Sequence, residues 1–513
     1  MSEPMLQGER SRMGGLRVSS RFLLAPALGY LLLPNILFLL GWVRLEAALP
    51  FSLILLMAGV FIWRKAPVRS FTLTGRELVF WALVALLCLI WVESTGLNGH
   101  VVQHDDFVVR HAIYDSLVRC DWPLYSARGE YFSYYMAFWL PPALCARLCG
   151  DWVDRNVILW LWMYAGVLLS FLALMRRGGV RVLVFLLLLM ALGDVSDWYD
   201  FWLCPLVQRW VDVPGRPGEM ARCFLDLWPY VDFPYCMSWT QLRNLFNHII
   251  PVWVFLGVVM GRLIQPRHWL FASALVVLCS PLAALALLPL LGYLLWPEIR
   301  RHGVRVILNV PTLLAGAYLI FPALYLGCNE GSRCFFTPLG LESTFLKRLS
   351  PFAWLMMILS ALVTILVPAF IFLRRYRATA LFRTSCLLAV LLPFIYVGTR
   401  HNELCMKGSG VMWYCLAWMY ASCVFHVTRR LRRWLGLYLF LSAPMALLCV
   451  TALLVKNYSW DPAVMQQHQR TRWQGHLNHP EDPMYPSFWG HQPAPLLFYS
   501  RPGESSFPPG KGE

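Results

Sequence analysis

Long apolar segments recur along the whole chain and alternate with short polar ones. Each apolar segment is about 17–25 residues long, enough to cross the hydrocarbon core of a bilayer as a helix. The pattern predicts an all-α polytopic membrane protein with about 13 transmembrane helices, within a range of about 12–14. The predicted spans are 22–41, 47–63, 78–95, 156–175, 180–193, 247–264, two short helices within 269–296, 304–327, 351–373, 385–398, 411–427 and 434–455.

Prolines interrupt two of the apolar segments. In the segment 131–149, Pro141 and Pro142 favour a membrane-surface or re-entrant structure, with a full crossing as the alternative. In the segment 269–296, Ser280-Pro281 predicts a hinge between two short helices.

Charge gives the orientation of the spans. The formal net charge is +16, and most basic residues cluster beside the ends of apolar segments, which is the positive-inside pattern. The basic tail 1–21 is therefore predicted to be cytoplasmic and to precede an uncleaved first helix, because no small-residue cleavage site follows it. The loops at about 96–155, 194–246 and 328–350 and the polar tail 456–513 then lie outside, flanking a transmembrane domain at 22–455.

Composition excludes other classes of protein. With 58% hydrophobic and 14% charged residues, the chain is not a soluble globular protein, and its scattered basic clusters do not form a nucleic-acid-binding face. Most of the 15 cysteines lie within apolar segments, but Cys328 and Cys334 flank a polar external loop and are candidates for a disulfide. The cysteine and histidine spacing of a structural zinc site is absent from the sequence.

The first external loop carries an unusual polar cluster for so apolar a protein. Its members are His104, Asp105, Asp106, Arg110 and His111. On a helix, Asp105 and Asp106 would point about 100° apart, which favours one general base or metal ligand with a supporting neighbour. Alternatively, one of them caps a helix through Val108–Leu117, and the histidines are solvated.

Three further polar groups fall on the same predicted side. They are Asp194, Asp197 and Asp200; Arg243, Asn244, Asn247 and His248; and Arg400, His401, Asn402, Glu403 and Lys407. Asp194 could join Asp106 as an oxygen ligand of a divalent cation. Arg400 and Lys407 bracket a predicted turn and could clamp a phosphate. In the simpler alternatives these cations anchor at lipid headgroups, and His248 is an ordinary interfacial histidine.

The order of these motifs resembles a known family. The motifs are His104 to Ile113, Trp122-Pro123, Leu140-Pro-Pro142, Gly193-Asp194, Asn247-His248-Ile-Ile-Pro251, Ser280-Pro281 and Asn402 to Ser409. Over about residues 20–430 the chain resembles the integral-membrane glycosyltransferases of the GT-C superfamily, and more narrowly their poorly characterised bacterial branch. It departs from that branch at Asn247, Glu403 and Lys407, where glutamine, aspartate and arginine are usual. Lysine lacks the bidentate fork of arginine.

The resemblance implies transfer of a sugar from a polyprenyl-phosphate carrier to an unknown acceptor at the external face of a bacterial cytoplasmic membrane. Asp105 or Asp106 would act on the acceptor, and Arg400, His401, Glu403 and Lys407 would form the lipid-phosphate site. The supporting or acceptor-binding residues would be His104, Arg110, His111, Asp194, Asp197 and His248. No cofactor is required by the resemblance, and a divalent cation, Mg²⁺ or Mn²⁺, is optional.

Two other functions stay open from the sequence. A transporter or flippase of a lipid-linked or anionic solute would need charges within spans near the midplane and internal repeats, and the sequence shows neither. A non-catalytic assembly partner with the same fold is the other alternative. An enzyme should instead bring the four polar groups into one site, since groups more than about 20 Å apart cannot share one reacting centre.

Overall fold

The computed structural model describes residues 16–103, 106–126, 129–192, 238–329, 361–397 and 402–443, together with a few short segments. Those segments are 337–338, 454, 458–461, 464–465, 489–490, 493 and 497–499. Within these residues the chain forms sixteen α-helices, so the predicted all-α class is confirmed.

The first helices follow the predicted apolar segments within a few residues, whereas several later ones begin or end five or more residues away from them. They are α1 Ser20–Trp42, α2 Leu45–Lys65, α3 Gly75–Glu93, α4 Asp106–Arg119, α5 Leu140–Cys149, α6 Arg155–Leu172, α7 Gly179–Ala191, α8 Ser238–Asn244, α9 Phe246–Met260, α10 Trp269–Val277, α11 Pro281–His302, α12 Val310–Gly327, α13 Val367–Phe372, α14 Ala380–Leu391, α15 Glu403–Val424 and α16 Arg429–Ser442. Three antiparallel ribbons pair β1 Leu16–Ser19 with β2 Ser70–Leu73, β3 Tyr131–Phe132 with β6 Trp489–Gly490, and β4 Thr337–Pro338 with β5 Ile395–Tyr396.

Six of the described helices are long and apolar enough to cross a membrane. They are α1, α2, α3, the continuous helical segment Arg155–Arg177, α11 and α12. On α2, Leu49, Leu53, Leu56 and Met57 are about half exposed along one face, an arrangement that suits lipid and not water. The chain is therefore a membrane-embedded protein, whereas the number of 13 spans and the GT-C arrangement stay predictions.

Helix α15 is the central helix of the bundle. It packs against α7, α9, α11 and α14, and nearly every residue from Leu404 to Cys423 is buried. The predicted turn through 399–409 is wrong from Glu403 onwards, because α15 begins there and not at 411. The Asn402 side chain caps the helix by accepting a hydrogen bond of 3.1 Å from the Cys405 backbone N–H.

The proline-containing segments have different outcomes. The break at Ser280-Pro281 is confirmed, since α10 ends at Val277 and α11 starts at Pro281. The second helix is not short, because it continues for 22 residues through two internal prolines. Helix α5 and the 3₁₀ turn Ala137–Trp139 that runs into it are about 21 Å long together, shorter than a hydrocarbon core of about 30 Å. That length favours the surface or re-entrant interpretation of 131–149.

The contact between α6 and α9 depends on two glycines spaced four residues apart. A Cβ atom on Gly257 would lie 2.3 Å from the Ser170 carbonyl oxygen, and one on Gly261 would lie 2.1 Å from the Ala173 carbonyl oxygen. Small residues at this spacing let membrane helices approach closely. This contact holds the last turn of α9 against the last turn of α6.

We expect Gly257→Ala to destabilise the protein by about 1–3 kcal/mol, because the added methyl group forces two backbones apart. Gly292→Ala is the matched control, since a Cβ atom there meets nothing within 4 Å. Thermal unfolding of both variants in the same detergent measures the difference. Equal melting temperatures for the two variants would show that α6 and α9 do not pack this closely.

Candidate functional site

The predicted first external loop contains a helix, as the simpler interpretation of the sequence anticipated, but His111 on this helix is partly buried and not fully solvated. Helix α4 covers Asp106–Arg119 and packs against α5 through its buried face, which includes Phe107, Tyr114 and Leu117. The Tyr114 hydroxyl donates to the Arg155 carbonyl oxygen at 2.8 Å. His104, Asp105 and the side chain of Asp106 lie outside the described residues, so their roles stay predictions.

Arg110 connects α4 to the start of α9. Its guanidinium carbon lies 5.6 Å from the centre of the Phe246 ring and 5.8 Å from that of Phe107. The two phenylalanine rings stack with centres 5.9 Å apart. Arg110 is thereby placed near His248, which follows Phe246 by two residues on α9.

His248 is buried at the start of α9. Its ring meets the ring of Tyr135 edge-on, with centres 4.6 Å apart. Within the described part of the chain, its Nδ1 atom has no hydrogen-bond partner. A buried and unpartnered ring nitrogen can donate to or accept from a bound ligand.

Lys407 lies one helical turn after Glu403 and forms an ion pair with it. The side chain of Lys407 is 5% exposed, whereas that of Glu403 is 34% exposed. The Nζ atom of Lys407 also donates to the Tyr135 hydroxyl at 3.0 Å and lies 4.4 Å from the centre of that ring. The same hydroxyl donates to Oε2 of Glu403 at 3.3 Å. The cation is therefore held by a carboxylate, a phenol and an aromatic face.

These contacts unite residues from distant segments into what we call the Lys407 cluster. Its members are Arg110, Tyr135, His248, Glu403 and Lys407. Both Arg110 and Lys407 interact electrostatically with His248, and Arg110 does so with Tyr135. Four of the five were predicted as site residues, and the structure brings those four together.

Tyr135 is the member that the sequence did not reveal. It follows Tyr134, whose ring centre is 3.9 Å away, in an aromatic run that is also typical of an interfacial belt. The available signal was the run itself, Tyr131-Phe-Ser-Tyr-Tyr135, next to Leu140-Pro-Pro142. Its contact with Lys407 depends on tertiary packing, which local sequence does not show.

Helix α8 connects two segments that lead to the Lys407 cluster. The Gln241 side-chain amide donates to the Met406 carbonyl oxygen at 3.1 Å and to the Ser409 hydroxyl at 2.9 Å. The Arg243 guanidinium donates to the Val102 carbonyl oxygen at 3.2 Å. The chain just before α4 and the first turns of α15 are thus attached to the same short helix.

Most of the other predicted site residues are not tested by the structure. Asp194, Asp197, Arg400, His401 and Cys334 lie outside the described residues. Among the described residues, no three His, Cys, Asp or Glu side chains form a metal-binding group. A site using Asp106 and Asp194 is not tested by that search, since neither side chain is described. The Cys328 thiol donates to the Leu324 carbonyl oxygen at 3.1 Å, and its disulfide with Cys334 stays a prediction.

His111 lies beside the cluster with an altered acidity. Burial and the positive charges of Arg155 and Arg110 lower its pKa from 6.5 to about 4. Its Nε2 atom is buried and has no hydrogen-bond partner among the residues that are described. His111 is therefore neutral at physiological pH, so it can orient a ligand without adding charge.

Because its folded pKa is below the ordinary value, His111 should make stability depend on pH. The unfolded chain binds an extra proton between pH 6.5 and about 4, so the free energy of unfolding falls as the pH falls through that range. We expect wild type to lose about 1–3 kcal/mol more than His111→Gln between pH 7 and pH 4. The melting temperatures of wild type and His111→Gln, measured from pH 7 to pH 4, test this prediction. Identical changes of melting temperature with pH in the two proteins would contradict it.

Comparison of the chain with protein-family models, curated proteins and solved structures found no match. The resemblance to the GT-C glycosyltransferases therefore comes from the motifs alone. The geometry adds that three of the motif residues, Arg110, His248 and Glu403, lie around a fourth, the buried cation Lys407.

Proposed function

We propose that the protein is a GT-C-type membrane glycosyltransferase that moves a sugar from a polyprenyl-phosphate carrier to an acceptor at the external face of a bacterial cytoplasmic membrane. The observation that carries the proposal is the meeting of Arg110, His248, Glu403 and Lys407, which come from three distant segments. Cations close to a buried histidine, whose Nδ1 atom has no hydrogen-bond partner among the described residues, suit a reaction in which a phosphate leaves and a hydroxyl attacks.

The cationic members of the cluster would hold the lipid phosphate. The ammonium group of Lys407 has three N–H donors. Two of them bind Glu403 and Tyr135, so one is left for a phosphate oxygen. Arg110 adds a second positive charge that acts on His248. Glu403 then acts as the counterion that fixes Lys407, and not as a phosphate ligand, because like charges repel.

The proposed reaction is a displacement at the anomeric carbon of the sugar. The acceptor hydroxyl attacks that carbon, its proton passes to Asp105 or Asp106, and the bond to the carrier phosphate breaks with its electron pair on the phosphate oxygen. Positive charge at the Lys407 cluster stabilises the phosphate as it leaves. A Mg²⁺ or Mn²⁺ ion held by Asp106 and Asp194 would stabilise the same leaving group, and the proposal does not require one.

The test is sugar transfer by the purified protein in liposomes that contain radiolabelled polyprenyl-phosphate sugars. We expect Arg110→Gln to lower the rate about 10²–10³-fold, as loss of a charge-stabilising donor does. Arg119→Gln is the matched control on the same helix, because its side chain is 56% exposed and its ion pair in the described part of the chain is with Asp115.

The outcomes separate the three candidate functions. Equal transfer rates for Arg110→Gln and Arg119→Gln would contradict the proposed site. Movement of the labelled lipid across the bilayer without sugar transfer would indicate a flippase. Neither activity, with any of the donor sugars and acceptors supplied, would favour a non-catalytic partner.

A further inference from the structure

A second group of cations lies at the opposite end of the helical body. We call it the arginine cluster, and its members are Arg69, Arg176, Arg177, Arg181 and Arg262. They come from four parts of the chain: the residue before β2, the turn after α6, the first turn of α7, and the second residue after α9. The charge pattern predicts that this end faces the cytoplasm.

Helix α9 separates the two cationic groups. His248 lies near its start, and Arg262 lies two residues after its end at Met260. With 15 residues the helix is about 22 Å long, so the arginine cluster cannot share a ligand with the Lys407 cluster. It is a separate feature of the molecule.

Arg177 lies at the centre of the arginine cluster. Its guanidinium donates to the Met260 carbonyl oxygen at 2.7 Å, which fixes it at the end of α9. The charges of Arg262, Arg176, Arg181 and Arg69 all act on it. Arg176 in turn interacts with Arg69 and Arg262. Tertiary packing therefore brings together five like charges that repel one another.

Acidic side chains do not offset this charge within the described part of the chain. None of the five arginines forms an ion pair there. The neighbouring acid is Glu77, whose Oε2 atom accepts a hydrogen bond of 2.7 Å from the Gly179 backbone N–H at the start of α7. Such an uncompensated concentration of guanidinium groups is costly unless an anion binds to it.

We infer that the arginine cluster is a binding site for a phosphate-bearing anion, with the headgroup of an anionic membrane lipid as its main ligand. Guanidinium groups bind phosphate oxygens in a bidentate manner and keep their charge at any physiological pH. Basic pockets between transmembrane helices on the cytoplasmic side bind anionic headgroups. Arg69 and Arg262 are exposed and so can reach such a ligand, whereas Arg177 forms the fixed base of the site.

The test compares two variants with the same change of charge. Arg69→Gln/Arg262→Gln removes the two exposed members, and Arg305→Gln/Arg383→Gln removes two exposed arginines elsewhere on the chain. Each detergent-solubilised protein is titrated with short-chain phosphatidylglycerol, with short-chain phosphatidylcholine and with inorganic diphosphate. The melting temperature is followed, because a ligand that binds the folded state raises it.

We expect phosphatidylglycerol to raise the melting temperature of wild type and of Arg305→Gln/Arg383→Gln, with phosphatidylcholine having little effect. Its apparent affinity for Arg69→Gln/Arg262→Gln should be at least about tenfold weaker, as the loss of two charge-assisted contacts implies. A shift with diphosphate as large as that with phosphatidylglycerol would support the phosphate site but assign it to a soluble anion. Equal responses of all three proteins, or none in wild type, would overturn the inference.

Discussion

Replacing Asp105 and Asp106 together with asparagine is expected to abolish sugar transfer while the protein still folds and inserts. Asparagine keeps the size of aspartate but cannot accept a proton from the acceptor hydroxyl. Loss of a general base typically lowers a rate about 10²–10⁴-fold. Transfer from a radiolabelled polyprenyl-phosphate sugar by the purified double variant measures the effect, and the two single variants show which aspartate acts.

Asp151→Asn is the matched control for this prediction. Asp151 is an exposed acid between α5 and α6, and its loss should leave the transfer rate unchanged. Full transfer activity of the double variant, at the same amount of folded protein, would contradict the assignment of the first predicted external loop as the catalytic segment.

Glu403→Gln is expected to destabilise the protein more than Lys407→Met does. The reason is the unequal burial of the pair, since Lys407 is 5% exposed and Glu403 is 34% exposed. Without Glu403, an ammonium group stays buried without its carboxylate, at a cost of about 3 kcal/mol. Without Lys407, water can still solvate the carboxylate in part, so we expect a cost of about 1 kcal/mol.

The double variant Lys407→Met/Glu403→Gln should recover most of this loss, because replacing a buried ion pair by uncharged residues is often nearly neutral. Thermal unfolding of the two single variants and the double variant in one detergent completes the cycle. If the losses of stability in the two single variants simply add in the double variant, the two side chains are not energetically coupled.

The sequence predicted the class and much of the helix order because apolar length is a local property. Helices α1, α2 and α3 begin and end within a few residues of the predicted spans. The break before Pro281 was also predictable, because proline lacks an N–H and favours the first position of a helix. These features follow from single segments and do not depend on what packs against them.

The early start of α15 could not be predicted in the same way. Gly408 and Gly410 disfavour a helix locally, and the polar residues before them are typical of a turn. In the structure a Cβ atom on Gly410 would lie 1.9 Å from a side-chain carbon of Ile249 on α9, so glycine at this position lets α15 and α9 pack closely. Tertiary contact overrides the local preference and makes Glu403 and Lys407 neighbours one turn apart.

Of the site, the sequence predicted the charged residues but not their partners. Charged residues in an apolar chain indicated which side chains to examine, because such charges are costly without a partner or ligand. Their partners were not visible, since Tyr135 and Lys407 are distant in sequence and meet only after the bundle packs. Of the predicted pair of phosphate-binding cations, Lys407 is held by Glu403 and Tyr135, whereas Arg400 lies outside the described residues.

The most direct test is the binding of a polyprenyl phosphate to the Lys407→Met/Glu403→Gln variant in nanodiscs, compared with wild type. If the Lys407 cluster holds the phosphate of the carrier, the stably folded variant should bind the lipid at least about tenfold more weakly, as loss of one charge-assisted contact implies. Equal affinity for the two proteins would contradict the proposed role of the cluster.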